Sequence, residues 1–312
     1  METALITGCN GFSGKALVRR LRLESGLRIV GCDLGEGPAD GGGLDELIRL
    51  DMRDARRVSN VVGTLKPDLI FHLAGLFNGD ERDLYEVNFM GGIHLIEAVW
   101  RDSPGSRVVV VGSAAEYGFV PEAEMPIVEE FPCRPAGPYG ISKHALTLAA
   151  RDYAQKRGVK AVVARPFNLV GAGIPSSLVV GALIGRLKQA LELGTRSITV
   201  GNLDTERDFV SVRDAADAYL LMARGEQWGE VFNVCSGRPV SIRHLAQQLL
   251  DKATRPVSLV VDPGLVRSTD VRTVYGSYQK AERLLGFRPR IALEDALTEA
   301  WEYDPGKGTG SK

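Results

Sequence analysis

The sequence predicts an α/β protein, a doubly wound parallel sheet followed by a smaller C-terminal α/β lobe. Three observations carry this. Short apolar runs alternate with helical patterns through the first 171 residues, the rhythm of parallel strands joined by helical crossovers. Residues 108–112 are four valines and a glycine, as suits a strand buried on both faces. After Gly171 the rhythm breaks into shorter, more mixed elements.

The first strand (Ala4, Leu5, Ile6, Thr7) runs into Gly8, Cys9, Asn10, Gly11, Phe12, Ser13 and Gly14, and a helical pattern follows. A strand feeding a glycine-rich turn into a helix opens a dinucleotide-binding unit. Its glycines let the backbone turn tightly and approach a pyrophosphate, which sits on the helix N-terminus. The spacing is G-x-x-G-x-x-G rather than G-x-G-x-x-G, but the sheet is Rossmann-like in rhythm. Asp33 ends the second strand, nineteen residues beyond Gly14. A carboxylate there accepts both adenosine ribose hydroxyls and repels a 2′-phosphate, which favours NAD(H) without excluding NADP(H). Residues 35–43, with Pro38, read as a flexible glycine-rich loop.

Residues 48–52 read as a strand that brings Asp51 toward the adenine edge, and Asp54 starts a helix through Leu65. Residues 68–75 read as a buried strand whose end, Leu73-Ala74-Gly75, admits the cofactor. Residues 83–100 are helical. Ser113 then closes the central strand at the carboxyl edge of the sheet, where ligands bind.

Tyr139 and Lys143, four apart on a helix that stops at Gly158, share one face. An ammonium beside a phenol favours the phenolate and draws a pKa of about 10 toward neutrality. Such a phenol passes protons to or from an alcohol or sugar oxygen. Residues 160–165 form another strand, leading to Pro166, Phe167 and Asn168. Beyond Gly171, residues 175–193 read as a loop and helix and 198–201 as a short strand. Arg207-Asp208-Phe209-Val210 precedes a helix over 213–223, residues 231–234 return as a buried strand, and Ser241 caps a helix to Lys252. Residues 257–261 form a strand, Ser277 starts another helix, and the tail from Pro305 reads as disordered. The division expected is an NAD-binding domain of residues 1–171, to which 207–236 return, and a substrate lobe of 172–206 and 237–312.

A net charge of −1 over 312 residues argues against nucleic acid and anionic membranes as partners. The N-terminus enters a strand without a charged, apolar leader, and the expectation is a cytoplasmic protein. Four cysteines without C-x-x-C spacing and four scattered histidines give no metal site.

Together, Thr7-Gly8-x-x-Gly11-Phe12-x-Gly14, Asp33, Ser113, Tyr139-x-x-x-Lys143 and Arg207-Asp208-Phe209 resemble the extended short-chain dehydrogenase/reductases that modify nucleotide sugars. The resemblance covers residues 3 to about 303. Residues 111–118, 200–209 and 232–237 look most like the GDP-6-deoxy-4-keto-D-mannose reductases. Residues 267–271 are similar to a nucleotide-holding stretch whose usual proline is Ser268 here. Residues 76–83 look shorter than in that group.

The resemblance implies that Ser113 hydrogen-bonds the reacting oxygen, Tyr139 is the general acid, and Lys143 binds the nicotinamide ribose. It places the cofactor against Gly8, Asn10, Gly11, Phe12, Ser13, Gly14, Asp33, Asp51, Met52, Leu73, Ala74, Gly75, Tyr139, Lys143 and Pro166. It places the nucleotide-diphosphate sugar against Ser113, Ala114, Asn168, Arg207, Arg267 and Asp270, the arginine forks matching diphosphate oxygens. A homodimer through helices 83–100 and 139–157 is also implied. The expected reaction is NADH-dependent reduction of a 4-keto group on a nucleotide-linked 6-deoxyhexose, with GDP-4-keto-6-deoxy-D-mannose as the first substrate to try. A 4-epimerase with tightly held NAD is the alternative. Ala114 and Ala115 stand where 4,6-dehydratases carry acids, which argues against dehydration; Glu116 is one position further on. A non-catalytic NAD-binding protein is the remote reading.

Overall fold

Residues 1–37, 41–265 and 271–304 are described by the computed structural model. Pro38, the tail from Pro305, and Arg267, Ser268 and Asp270 lie outside the described residues.

The first half of the chain alternates strand and helix: β1 (Glu2–Thr7), α1 (Phe12–Leu21), β2 (Leu27–Asp33), β3 (Glu46–Arg49), α2 (Ala55–Leu65), β4 (Leu69–His72), α3 (Glu81–Leu84), α4 (Gly91–Asp102), β5 (Arg107–Val111), α5 (Pro138–Arg157) and β6 (Lys160–Pro166). Then follow β7 (Asn168–Val170), α6 (Val179–Leu193), β8 (Ser197–Val200), β9 (Glu206–Ser211), α7 (Val212–Arg224) and β10 (Val231–Val234). The last stretch holds β11 (Pro239–Ser241), α8 (Ile242–Leu250), β12 (Ser258–Val261), β13 (Thr273–Val274), α9 (Gln279–Leu285) and α10 (Leu293–Glu302).

Seven parallel strands make the main sheet in the order β10-β6-β5-β4-β1-β2-β3. Because strand side chains alternate, each strand feeds two cores. Leu69, Phe71, Val109 and Val111 pack with α1 and α7, whereas Ile70, Val108 and Val110 pack with α2, α4 and α5. The direction of strand addition reverses between β1 and β4, and a crevice for ligands opens there at the carboxyl ends. The smaller lobe has a sheet of β7, β9, β11 and β13, a β8–β12 pair, and a core between α6, α8 and α10. No helix among the described residues is long and apolar enough to cross a membrane.

Several elements differ from expectation. β3 ends at Arg49, not residue 52: Leu50 N–H still reaches the Asp33 carbonyl at 2.9 Å, but Asp51 then turns the chain by accepting the Arg53 N–H at 2.9 Å. The helix expected over 83–100 is α3 and α4 joined by a π-helical turn, Tyr85–Met90. Residues 206–211 are a strand, β9, in which Arg207 and Asp208 interrupt the apolar alternation. The helix α10 also escaped the sequence reading. The helix α5 behaves as its ends demand, with Pro138 at its start and Gly158 at φ +70° closing it.

Candidate active site

Thr7 ends β1, and Gly8 (φ +72°) turns the chain against the end of β4: a Cβ on Gly8 would lie 2.7 Å from the Ala74 nitrogen. Only glycine fits that crossing. The helix α1 starts at Gly11, which offers no side-chain cap, and its first turn carries no acidic residue. Its uncapped N–H groups and positive dipole end suit a diphosphate. The Asp33 carboxylate is held by this turn, accepting Asn10 N–H at 3.0 Å and Gly35 N–H at 3.3 Å. These features fit a dinucleotide. Asp51 instead forms a two-pronged pair with Arg53 (3.0 and 2.7 Å), which holds its carboxyl below the usual value. Met52 is buried, and its carbonyl accepts His94 Nδ1 at 2.8 Å. Neither residue lines the main cleft.

That cleft, of about 460 Å³, runs from Phe12 and Ser13 past Leu73, Gly75, Ser113, Ala114, Tyr139, Lys143 and Pro166 to Asn168 and Arg207. Lys143 is buried and donates to the Val111 carbonyl at 2.9 Å. Burial draws its pKa down to about 8, against the raising influence of Glu116. A side chain at Gly75 would crowd this ammonium, its Cβ lying 3.2 Å from Nζ.

Tyr139 departs from expectation. Burial pushes its phenol above the usual value of 10, the Ser113 hydroxyl bond opposes this, and Glu116 reinforces it. Lys143, committed to the Val111 carbonyl, does not draw it down. The direction of the shift keeps the phenol in its neutral form at cellular pH. The Phe77 ring stands edge-on to it, centroids 5.0 Å apart.

Sequence reasoning missed the residues that hold this group. Asn88, buried on the π-helical turn, bonds both Leu76 backbone groups (2.7 and 2.9 Å) and Ser142 Oγ (3.0 Å). Ser142 in turn donates to the Tyr139 carbonyl at 2.8 Å. The available signal was a polar residue on the core face of an apolar helix. Glu116, to which the sequence assigns no role, is fully buried and bonded to Arg165 Nε at 2.9 Å, and the Arg165 guanidinium also lies over the Tyr117 ring at 4.8 Å. Burial alone would raise the Glu116 carboxyl; His144, Arg165, the Ser113 N–H and the Thr147 hydroxyl hold it below its usual value. Glu116, Cys133 and His144 bring possible ligand atoms within 4.8 Å of one another, yet Arg165 already supplies the cation there.

On the smaller lobe, Asn168 Nδ2 donates to the Asp208 carbonyl at 2.8 Å, and Arg207 Nη1 donates to the Glu206 and Arg272 carbonyls at 2.8 and 3.2 Å. Both line the same cleft as Tyr139. Buried Asp208 fastens this wall by accepting Ser236 N–H (2.7 Å), Ser236 Oγ (2.7 Å), Gly237 N–H (2.9 Å) and Gly276 N–H (3.2 Å).

Known proteins resemble this arrangement. The sequence is 35% identical over 241 residues to GDP-6-deoxy-D-mannose reductase of Pseudomonas aeruginosa, covering 74% of this chain and 78% of that protein. The solved structure of RMD from Pseudomonas aeruginosa complexed with NADPH is similar with a TM-score of 0.84 and 28% identity, covering 96% of this chain and 98% of that one. UDP-glucose 4-epimerase of Thermus thermophilus, solved in complex with NAD, matches equally in shape, with a TM-score of 0.84, 26% identity, and 96% and 98% coverage. The NAD dependent epimerase/dehydratase family matches residues 4–235, from within β1 to just past β10, and the chain belongs to that family.

Proposed function

We propose that the protein reduces the 4-keto group of a nucleotide-linked 6-deoxyhexose, taking GDP-4-keto-6-deoxy-D-mannose to GDP-D-rhamnose. The observation that carries this reading is the fate of the acids near Ser113. Ala114 and Ala115 follow it, and Glu116 is turned away from the cleft onto Arg165. Proton donation to an oxygen is provided for, whereas an acid for dehydration at C5 and C6 is not. Similarity to the reductase of Pseudomonas aeruginosa supports the same choice.

When bound, a reduced nicotinamide supplies the hydride. The chain's own residues bind, orient and protonate. Ser113 and Tyr139 face the carbonyl oxygen, the neutral Tyr139 phenol gives its proton as that oxygen becomes a hydroxyl, and Lys143 holds the nicotinamide ribose. Arg207 and Asn168 meet the sugar nucleotide, with Arg267 and Asp270 as further contacts proposed from sequence. Asp33 favours NADH, held as it is to accept ribose hydroxyls.

The test is oxidation of NADH, followed by the loss of its near-ultraviolet absorbance, with GDP-4-keto-6-deoxy-D-mannose, NADPH being run in parallel. Substrate-dependent loss of NADH, slower with NADPH, is the expected result. In Asp33→Ala the NADPH/NADH ratio of kcat/KM rises by about tenfold or more, the equivalent of about 1.4 kcal/mol of repulsion removed. The epimerase reading has the shape match to the Thermus thermophilus enzyme in its favour. Protein that oxidises no NADH and releases NAD on denaturation would establish it instead.

The proposed assembly is a cytoplasmic homodimer through α4 and α5. Trp100 and Tyr153 pack edge-on between these helices (6.5 Å), and α5 also carries the exposed Ile141 and Leu148. Sedimentation equilibrium and cell fractionation check the two parts of that statement.

A further inference from the structure

Glu116 sits where three parts of the cleft wall meet. It follows Ser113 in the short 3-10 turn Ala114–Glu116. One carboxylate oxygen accepts the Ser113 N–H at 2.9 Å and the Thr147 hydroxyl at 3.0 Å, and the other accepts Arg165 Nε at 2.9 Å. Thr147 lies one helical turn beyond Lys143 on α5, and Arg165 immediately precedes Pro166 on the cleft wall. Each partner is therefore joined to a group that faces the reacting end of the cleft. Stability is a poor account of this arrangement, because a buried ion pair is often no better than an apolar pair of similar shape. What the carboxylate does hold is the backbone of Ser113 itself, and a misplacement of about 1 Å at a reacting group costs about 10²-fold in rate.

We infer that Glu116 is a positioning residue, tying the Ser113 backbone to α5 and β6 so that Ser113 keeps its place beside Tyr139 in the lining of the cleft. It touches neither sugar nor cofactor. The inference rests on the reading that Ser113 and Tyr139 perform the proton step.

Two double variants test it. Both remove the charge pair, so neither leaves an ion unpaired in the interior. Glu116→Gln with Arg165→Met keeps an oxygen for the Ser113 N–H; Glu116→Leu with Arg165→Met does not. The first is expected to keep kcat within about threefold of the wild type, and the second to lose about tenfold or more with equal NADH affinity, both measured well below a Tm that the leucine variant lowers because the Ser113 N–H and the Thr147 hydroxyl lose their acceptor. A leucine variant as fast as the glutamine variant overturns the inference, and so does equal loss in both. The ¹³Cζ resonance of Tyr139, assigned with Tyr139→Phe, reads the Ser113 contact directly. It stays at the wild-type position in the glutamine variant and moves in the leucine variant. An unmoved resonance in the leucine variant counts against Glu116 whichever sugar is turned over, whereas failure of the wild type to oxidise NADH counts only against the proposed substrate.

Discussion

Replacing Tyr139 with Phe is expected to lower kcat by about 10²–10⁴-fold while weakening NADH binding by no more than about tenfold, the loss of one hydrogen bond. The ring is kept, so its edge-on packing with Phe77 and the fold of α5 survive; only the hydroxyl, the proposed proton donor, is lost. Stopped-flow oxidation of NADH under single-turnover conditions measures the first quantity, and fluorescence titration of the bound cofactor measures the second. The pH profile follows from the direction of the shift. Because burial raises the phenol above 10, it stays protonated through the neutral range, and wild-type rate declines only as pH climbs through the raised value. A catalytic phenol lowered toward neutrality would give the decline near neutral pH, so the position of the alkaline limb separates the two.

Arg165→Met alone is expected to destabilise the protein by about 3–5 kcal/mol, the cost of leaving a buried carboxylate without its partner. Glu116 is fully buried and Arg165 nearly so, and water does not take over the missing role. In the wild type, Glu116 is held below its ordinary 4.5, so its stabilising share is present above that pH and fades as pH falls through the lowered value. The variant reverses this. Burial, no longer opposed by the guanidinium, raises the carboxyl, and the penalty is full at neutral pH and relieved as the group takes up a proton in mild acid. Urea unfolding at about pH 7.5 and about pH 5.5 reads the difference: the gap between variant and wild type narrows at the lower pH. A gap independent of pH would mean that lost packing of Arg165 over Tyr117, rather than charge, is the cause.

The parts of the site that were legible in sequence are those set by local chemistry. Gly8 and Gly14 announce a turn that only glycines make, Asp33 follows at a fixed reach, and Tyr139 and Lys143 share a face by helical period alone. The rest depends on what the fold brings near. Glu116 could have faced the sugar or the interior, and only Arg165, arriving from a strand 49 positions later, decides between them. Tyr139 was expected to be lowered by its neighbour on α5; the Val111 carbonyl, from another strand, claims that ammonium. β9 escaped because Arg207 and Asp208 interrupt its apolar pattern, and Asp208 is buried only because Ser236, Gly237 and Gly276 come together around it.

The return of β10 to the edge of β6 has a consequence for how the chain is made. Val234, which completes that pairing, follows Pro166 by 68 positions, and the smaller lobe's α6, β8 and β9 are synthesised in between. At about 5–20 residues per second, β6 waits roughly 3–14 s on the ribosome as an unpaired edge rich in valine and alanine. Such an edge is a template for pairing with other chains. During that interval Lys160 at its start and Arg165 near its end are its charged side chains, and of the two only Lys160 is exposed, so the edge carries a single charge to set against pairing with other chains.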